Sequence, residues 1–192
     1  MSYLIPSLYL LFYALVHSLL ATFAVKNTSL RFFGGLRFYR LIYVTISLLL
    51  LIPLPFLPWP SGVVYTLDLP YAYFFYAIQT VGAVGFVWTL CHIDFGQFLG
   101  WSQRHMPVSN HDEKTTLITQ GPYRLCRHPL YLFGSITLIA NPHITCAYAL
   151  LTGWVLLYFY IGSHFEERRL HRLFGHAYQN YCQHTPRILP RL

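Results

Sequence analysis

The sequence predicts an all-α, polytopic integral membrane protein of about five transmembrane helices, the last two forming a hairpin. Three observations predict it. Apolar residues make up 55% of the 192 and charged residues only 10%, where a soluble domain carries about 25% charged residues; the mean hydropathy is +0.44. The apolar residues gather in runs of the length that crosses a bilayer, roughly 20 residues. All 13 Lys and Arg fall in alternate connections between those runs, the asymmetry that orients membrane helices. A pI near 9.3 could suggest nucleic acid, but basic residues interleaved with lipid-length apolar runs point to topology and headgroup contact. Cys91, Cys126, Cys146 and Cys182 form no CxxC pair, so neither a disulfide framework nor a metal site is expected.

The first apolar run, Tyr3 to Val25, is long enough to span and has neither the basic start nor the small-residue cleavage site of a signal peptide. Lys26, Arg31, Arg37 and Arg40 follow around a Gly34-Gly35 turn. The second run, Phe38 to Phe56, ends in prolines 53, 55, 58 and 60. The third runs from Tyr71 to Ile93 and breaks at Asp94-Phe95-Gly96. Residues 94–128 are the longest polar stretch, and long connections are often functional. The fourth run, Leu130 to Ala140, is too short to cross alone. Asn141-Pro142 turns the chain, and Ile144 to Gly162 runs back, giving a tight hairpin. From Glu166 to Tyr181, apolar residues at 170, 173, 174, 177, 178 and 181 recur at spacings of three and four, as in an amphipathic helix lying at the interface. The whole reads as one domain over 1–192, with three spans in 1–95 and a polar loop, hairpin and interfacial helix in 96–192.

With five spans, the first loop, the long loop and the C-terminal tail share one side and hold every Lys and Arg. That side is cytoplasmic, the inner face of the inner membrane if the source is bacterial. Two polar clusters then face the cytoplasm at opposite ends of the hairpin. One is Gly121-Pro122-Tyr123-Arg124-Leu125-Cys126-Arg127-His128-Pro129-Leu130-Tyr131; the other is Glu166-Glu167. Pro129 lacks a backbone donor and suits the first turn of a helix. So dense a polar cluster at the mouth of an apolar helix costs free energy unless something pairs with it. The plainer alternative is a loop whose arginines meet lipid headgroups.

Carboxylates favour an ammonium or a ribose diol, arginine a carboxylate or phosphate, and aromatic rings a flat base or a sulfonium. S-adenosylmethionine carries all of these groups; a nucleotide or a phospholipid headgroup carries some of them.

The segment LITQGPYRLCRHPLYLFG at 117–134, followed by HFEERRLHRLFGHAYQNYCQHTPRILP, resembles the membrane methyltransferase superfamily. That group includes the isoprenylcysteine carboxyl methyltransferases, the phospholipid methyltransferases and the membrane thiol methyltransferases. Its pattern of GPY, RHPxY, hairpin, EE, FG, Y and a proline-containing tail is present in order over roughly 115–190. The resemblance implies an S-adenosyl-L-methionine pocket open to cytosol and bilayer. By position, Thr115, Thr116, Leu117, Ile118, Tyr123, His128, Pro129, Leu130 and Tyr131 would line the cofactor. Glu166 would hold its amino-acid or ribose part, with Glu167 beside it. Arg124 and Arg127 would be carboxylate clamps or structural partners of the glutamates.

Isoprenylcysteine enzymes carry an arginine about one helical turn before the glutamate pair, where this chain has Gly162 or Ser163. Upstream, FYALVHSLLATFAVK (12–26), Gly82-Ala83-Val84-Gly85-Phe86 and HIDFGQFLGWSQ (92–103) resemble the membrane thiol methyltransferases, although FGQFLGWSQ is looser than their version. The expected partners are a small or lipophilic methyl acceptor and the bilayer, with no nucleic acid. A thiol acceptor reacts as its thiolate. His17 and His164 are candidate bases, since ionisable groups inside a membrane are functional candidates; Asp94 and Gln103 could close the acceptor pocket. Two other classes compete. Ten histidines could serve a haem, with His17, His92 and His164 one per span, and a non-catalytic scaffold of the NnrU-like kind would share the first half.

Overall fold

In the computed structural model, residues 2–20, 39–93 and 116–190 are described. The chain is mostly helical. Its elements are α1 (Leu4–Leu20), α2 (Tyr39–Leu49), a 3-10 turn (Leu54–Phe56), β1 (Val63–Thr66), α3 (Tyr71–Leu90), a 3-10 turn (Gly121–Arg124), α4 (Pro129–Ile139), β2 (His143–Thr145), α5 (Cys146–Phe174) and α6 (His176–His184).

These elements form two compact units. One comprises 1–60 and 94–116, the other 61–93 and 117–192. In the first unit, the Tyr9 hydroxyl donates to the Leu50 carbonyl at 2.8 Å, and His17 Nε2 lies 2.6 Å from the Tyr43 hydroxyl. The second expected span is helical only to Leu49. Pro53, Pro55 and Pro58 supply no backbone donor, so the chain passes through turns and a 3-10 segment, pinned by Trp59 Nε1 donating to the Leu54 carbonyl at 2.7 Å.

The second unit joins the third expected span to the C-terminal half. Glycines on α3 are the reason. A Cβ at Gly82 would lie 2.8 Å from the Thr137 nitrogen, and one at Gly85 would overlap the Phe133 ring. Small residues let two helices approach to backbone contact, and Gln79 Nε2 then reaches the Thr137 carbonyl at 3.1 Å.

The all-α expectation also missed a small antiparallel ribbon. β1 pairs with β2, Val63 opposite Thr145 and Thr66 opposite His143. Val63-Val64-Tyr65-Thr66 is all β-branched or aromatic, the composition that suits a strand, and too short a run to show a period. The ribbon places β2 directly before α5, whose first turn is capped by Thr145 accepting from the Tyr148 nitrogen at 3.1 Å.

α3 and α5 are each long and apolar enough to cross a membrane, and only 17% and 11% of their most apolar stretches are buried within the chain. The core helix of a soluble protein would be mostly covered, so these faces suit hydrocarbon. The other apolar helices, α1, the α2 region to Phe56, and α4, are shorter.

α5 differs from expectation at its end. Glu166 does not open a separate interfacial helix; α5 continues without a break to Phe174 and stops at Gly175, whose φ of +51° favours glycine. At about 1.5 Å per residue a helix needs roughly 20 residues to cross about 30 Å of hydrocarbon. α5 has 29, more than a crossing requires.

Candidate functional site

Pro129 starts α4 at its first turn, with His128 as the capping residue. His128 is thereby fixed at the start of α4, beside Glu166 and Glu167 of α5. Glu167 is the hub. Arg127 donates to it through both arms of its guanidinium, Nε to Oε1 at 2.9 Å and Nη2 to Oε2 at 2.8 Å. His128 Nε2 lies 2.9 Å from Oε1, and the Tyr178 hydroxyl donates to the same oxygen at 2.8 Å. Tyr178 is fully buried. A paired, fork-to-fork arginine and carboxylate is among the strong charge-assisted arrangements. At 12% and 14% side-chain exposure, neither ion could stay here without the other.

Glu166 is placed differently. Only its Oε2 faces the cluster, accepting from the Tyr131 hydroxyl at 3.1 Å and lying 3.4 Å from His128 Nδ1. Its Oε1 makes no hydrogen bond to the described residues, and the side chain is 46% exposed. Among the described residues, both oxygens of Glu167 are thus partnered, whereas Glu166 keeps one oxygen open.

His128 spans both carboxylates, one ring nitrogen on each. Burial pushes its pKa down, but the hydrogen bonds and charges of Glu166 and Glu167 outweigh that and hold it above the usual histidine value. The two carboxylates then face Arg127 and, when it is protonated, His128, and the charge of Arg169 also acts on Glu166. The rings of His128 and Tyr131 stack at 5.4 Å, and those of Tyr131 and Phe159 at 4.8 Å. Burial and the Glu167 carboxylate both raise the Tyr178 hydroxyl, keeping it a donor. Cys126 is fully buried, and burial pushes its thiol up to about 11, so it is a packing thiol, not a reactive one.

The C-terminal tail completes the cluster, a feature that sequence reasoning missed. The Arg127 nitrogen donates to the Pro186 carbonyl at 2.9 Å and the His128 nitrogen to the Arg187 carbonyl at 3.0 Å. Arg127 Nη1 also donates to the Thr185 carbonyl at 2.7 Å. The Tyr181 hydroxyl donates to the Tyr123 carbonyl at 2.6 Å. The Thr-Pro pair at 185–186, which cannot continue α6, was the signal available.

Of the expected residues, Tyr123, Arg127, His128, Pro129, Leu130, Tyr131, Glu166 and Glu167 all lie on the loop, the start of α4 and the end of α5. Pro129 is buried and Leu130 half-buried. Of the two roles left open for Arg127, the geometry supports structural partner of Glu167; Arg124 is exposed. Leu117 and Ile118 precede the Gly121–Arg124 turn, where a Cβ at Gly121 (φ +62°) would strike the His92 ring. Thr116 falls in the other unit; Thr115, Asp94 and Gln103 lie outside the described residues.

His164 does not join the cluster. It is two residues from Glu166, and so roughly 200° around the helix. Its Nδ1 meets the Tyr160 carbonyl at 2.8 Å and its Nε2 meets Arg187 Nη1. His17 belongs to the first unit, with Tyr43 as described. Glu167, His171 and Cys182 could bring ligand atoms within 4.8 Å of one another, but Glu167 is already saturated and Arg127 stands beside it, which disfavours a cation.

Residues 72–177 match the family model described as phospholipid methyltransferase. The chain is 29% identical over 187 residues to methanethiol S-methyltransferase 2 of Bradyrhizobium diazoefficiens, covering 94% of this chain and 70% of that protein. It is 34% identical over 79 residues to a methanethiol S-methyltransferase of Pseudomonas sp., covering 41% and 30%. It is 33% identical over 97 residues to the protein-S-isoprenylcysteine O-methyltransferase of Mus musculus, covering 47% and 33%. The chain therefore spans about a third of the last two. No solved structure matches it. The class these findings define is a methyltransferase of the membrane methyltransferase superfamily. Within it, the chain belongs to the phospholipid methyltransferase family, whose model covers more than half its length.

Proposed function

We propose that this protein transfers a methyl group from S-adenosylmethionine to a small or lipophilic acceptor at the membrane, a thiol by preference. The observation that carries the reading is the division of labour between the two glutamates. Glu167 is consumed in holding Arg127, His128 and Tyr178, while Glu166 is held in place through one oxygen and keeps the other open. A preorganised carboxylate with a free oxygen, next to a stack of aromatic rings, suits an ammonium or ribose diol and a flat, cationic neighbour.

Glu166, Tyr131 and His128 would hold the cofactor, with Leu117, Ile118, Tyr123, Pro129 and Leu130 along its walls. When bound, S-adenosylmethionine supplies a methyl group already activated by its sulfonium. The protein's part is to align the acceptor and exclude water. A thiol with a pKa near 8.5 is a few percent thiolate at neutral pH, so a weak base suffices. His164 is already engaged at both ring nitrogens, by the Tyr160 carbonyl and by Arg187.

Two observations favour a thiol. The relative matched along 94% of the chain is named for methanethiol. The position of the carboxylate-binding arginine of isoprenylcysteine enzymes is here Gly162 or Ser163, and Ser163 is fully buried with its hydroxyl turned to the Tyr160 carbonyl. Neither residue at that position carries a cation of its own. α1 to α5 supply up to five crossings, with the N-terminus outside and the cluster on the cytoplasmic side.

Calorimetry of S-adenosylhomocysteine with the detergent-purified protein tests the reading. Wild type should bind, and Glu166→Gln and His128→Ala should each weaken binding tenfold or more, about 1.4 kcal/mol. A folded wild type that does not bind would overturn it, and a Soret band in that protein would return the haem alternative.

A further inference from the structure

A second side-chain cluster lies on the other face of α5, turned away from Glu166. With 100° per residue, Leu157, Ile161, Phe165, Arg168 and Arg172 follow one stripe, while Glu166 falls on the opposite side. The stripe is exposed from end to end: Leu157 is 47%, Ile161 45% and Phe165 64% exposed, and Arg168 and Arg172 are exposed as well. It changes character abruptly. Three apolar side chains over two turns give way to two arginines one turn apart, with an aromatic ring at the boundary.

The arginines are held against their own helix. The Arg168 guanidinium lies 5.8 Å from the centre of the Phe165 ring, and Arg172 Nε reaches the Arg168 carbonyl at 3.3 Å. Neither is paired with a carboxylate among the described residues. Phe165, Arg168, His171 and Arg172 line a shallow concavity. Three or four turns of hydrocarbon-facing helix ending in an arginine pair match the shape of a phospholipid: an acyl chain against Leu157 and Ile161, the glycerol region at Phe165, the phosphate between the guanidiniums. Arginine takes a phosphate oxygen pair through its planar fork. A basic pocket at the cytoplasmic end of a span binds anionic headgroups.

We propose that the Leu157–Arg172 stripe is a binding site for one anionic phospholipid, held as a resident lipid and not as the methyl acceptor. The proposal rests on the reading of α5 as a span. Its chemistry is separable from the methyl-transfer site, because no residue of the stripe belongs to the Glu166–Glu167 cluster.

Native mass spectrometry of the full chain released from detergent tests it, with phosphatidylglycerol, phosphatidylcholine and inorganic phosphate added in turn. Wild type should retain one phosphatidylglycerol at least tenfold more tightly than phosphatidylcholine. The double variant Arg168→Gln, Arg172→Gln should lose that preference while binding S-adenosylhomocysteine as wild type does. Both arginines are exposed, so the variant should fold; Arg172→Gln alone, which should lose about half the preference, serves if it does not. Equal retention of both lipids by wild type, an unchanged preference in the variants, or equally tight binding of inorganic phosphate would each overturn the proposal. Absence of S-adenosylhomocysteine binding alongside an intact lipid preference would count against the methyltransferase reading alone.

Discussion

Adjacent glutamates carry opposite duties at this site because a helix separates neighbours by 100°. Glu167 points at Arg127, His128 and Tyr178; Glu166 points along the Tyr131 side. Two variants should therefore fail in different ways. Glu166→Gln should lose cofactor affinity while its melting temperature stays within a few degrees of wild type. Arg127→Ala should lose about 3–5 kcal/mol of stability, the cost of stranding one member of a buried ion pair, read as a fall in melting temperature in detergent. Arg127→Lys should recover only part of it, since an ammonium cannot make the fork. His128 adds a pH signature. Its folded pKa is raised above the unfolded value near 6.5, so its stabilising contribution is complete below that value and fades as pH rises through the folded pKa. The difference in melting temperature between wild type and His128→Gln should thus shrink between pH 6 and pH 9. A constant gap would show that the imidazole does not titrate against the glutamates.

Among the elements, the α3–α4 pair is the tightest fitted. Gly82 and Gly85 were legible in the sequence only as part of a family pattern; the packing gives them a steric reason. A methyl at Gly85 would enter the Phe133 ring, so Gly85→Ala should destabilise by about 1–3 kcal/mol. Gly153, whose Cβ would meet nothing within 4 Å, should tolerate alanine with no loss. Both are checked by thermal melting in the same detergent. Element types were largely readable: apolar runs gave α1, α3, α4 and most of α5 close to their observed bounds, and Pro129 marked the start of α4. Element ends were not. The spacing of apolar residues after Glu166 is helical whether or not the helix is continuous with α5, so periodicity alone could not place the break at Gly175. The β1–β2 ribbon was invisible for a related reason: its paired residues are at least 77 positions apart in the chain, and strands of four and three residues are too short to show a period.

At the scale of the molecule, the tail is what closes the site. Pro186 and Arg187 give their carbonyls to the backbone of Arg127 and His128, and Thr185 to the Arg127 side chain. A chain ending at His184 should strand these donors and lose S-adenosylhomocysteine binding by tenfold or more while α1 to α5 keep their helical circular dichroism signal. Topology is tested separately. A reporter fused to the C-terminus should be cytoplasmic if the charge asymmetry of the sequence sets orientation.

Composition and the spacing of apolar residues determined, without any fold, that this chain is helical and suited to a membrane, because hydrophobic length and backbone satisfaction leave few alternatives in lipid. The local motifs, RHPLY and EE, also marked where the polar chemistry gathers. What only the tertiary structure decided is which member of each pair is spent on structure and which is left open. Glu166 and Glu167 are chemically identical, and their difference comes from the direction each faces across α5 and from Tyr178 and the 185–187 tail arriving from elsewhere in the chain. Such assignments depend on three-dimensional partners brought together by packing, and no local pattern encodes them.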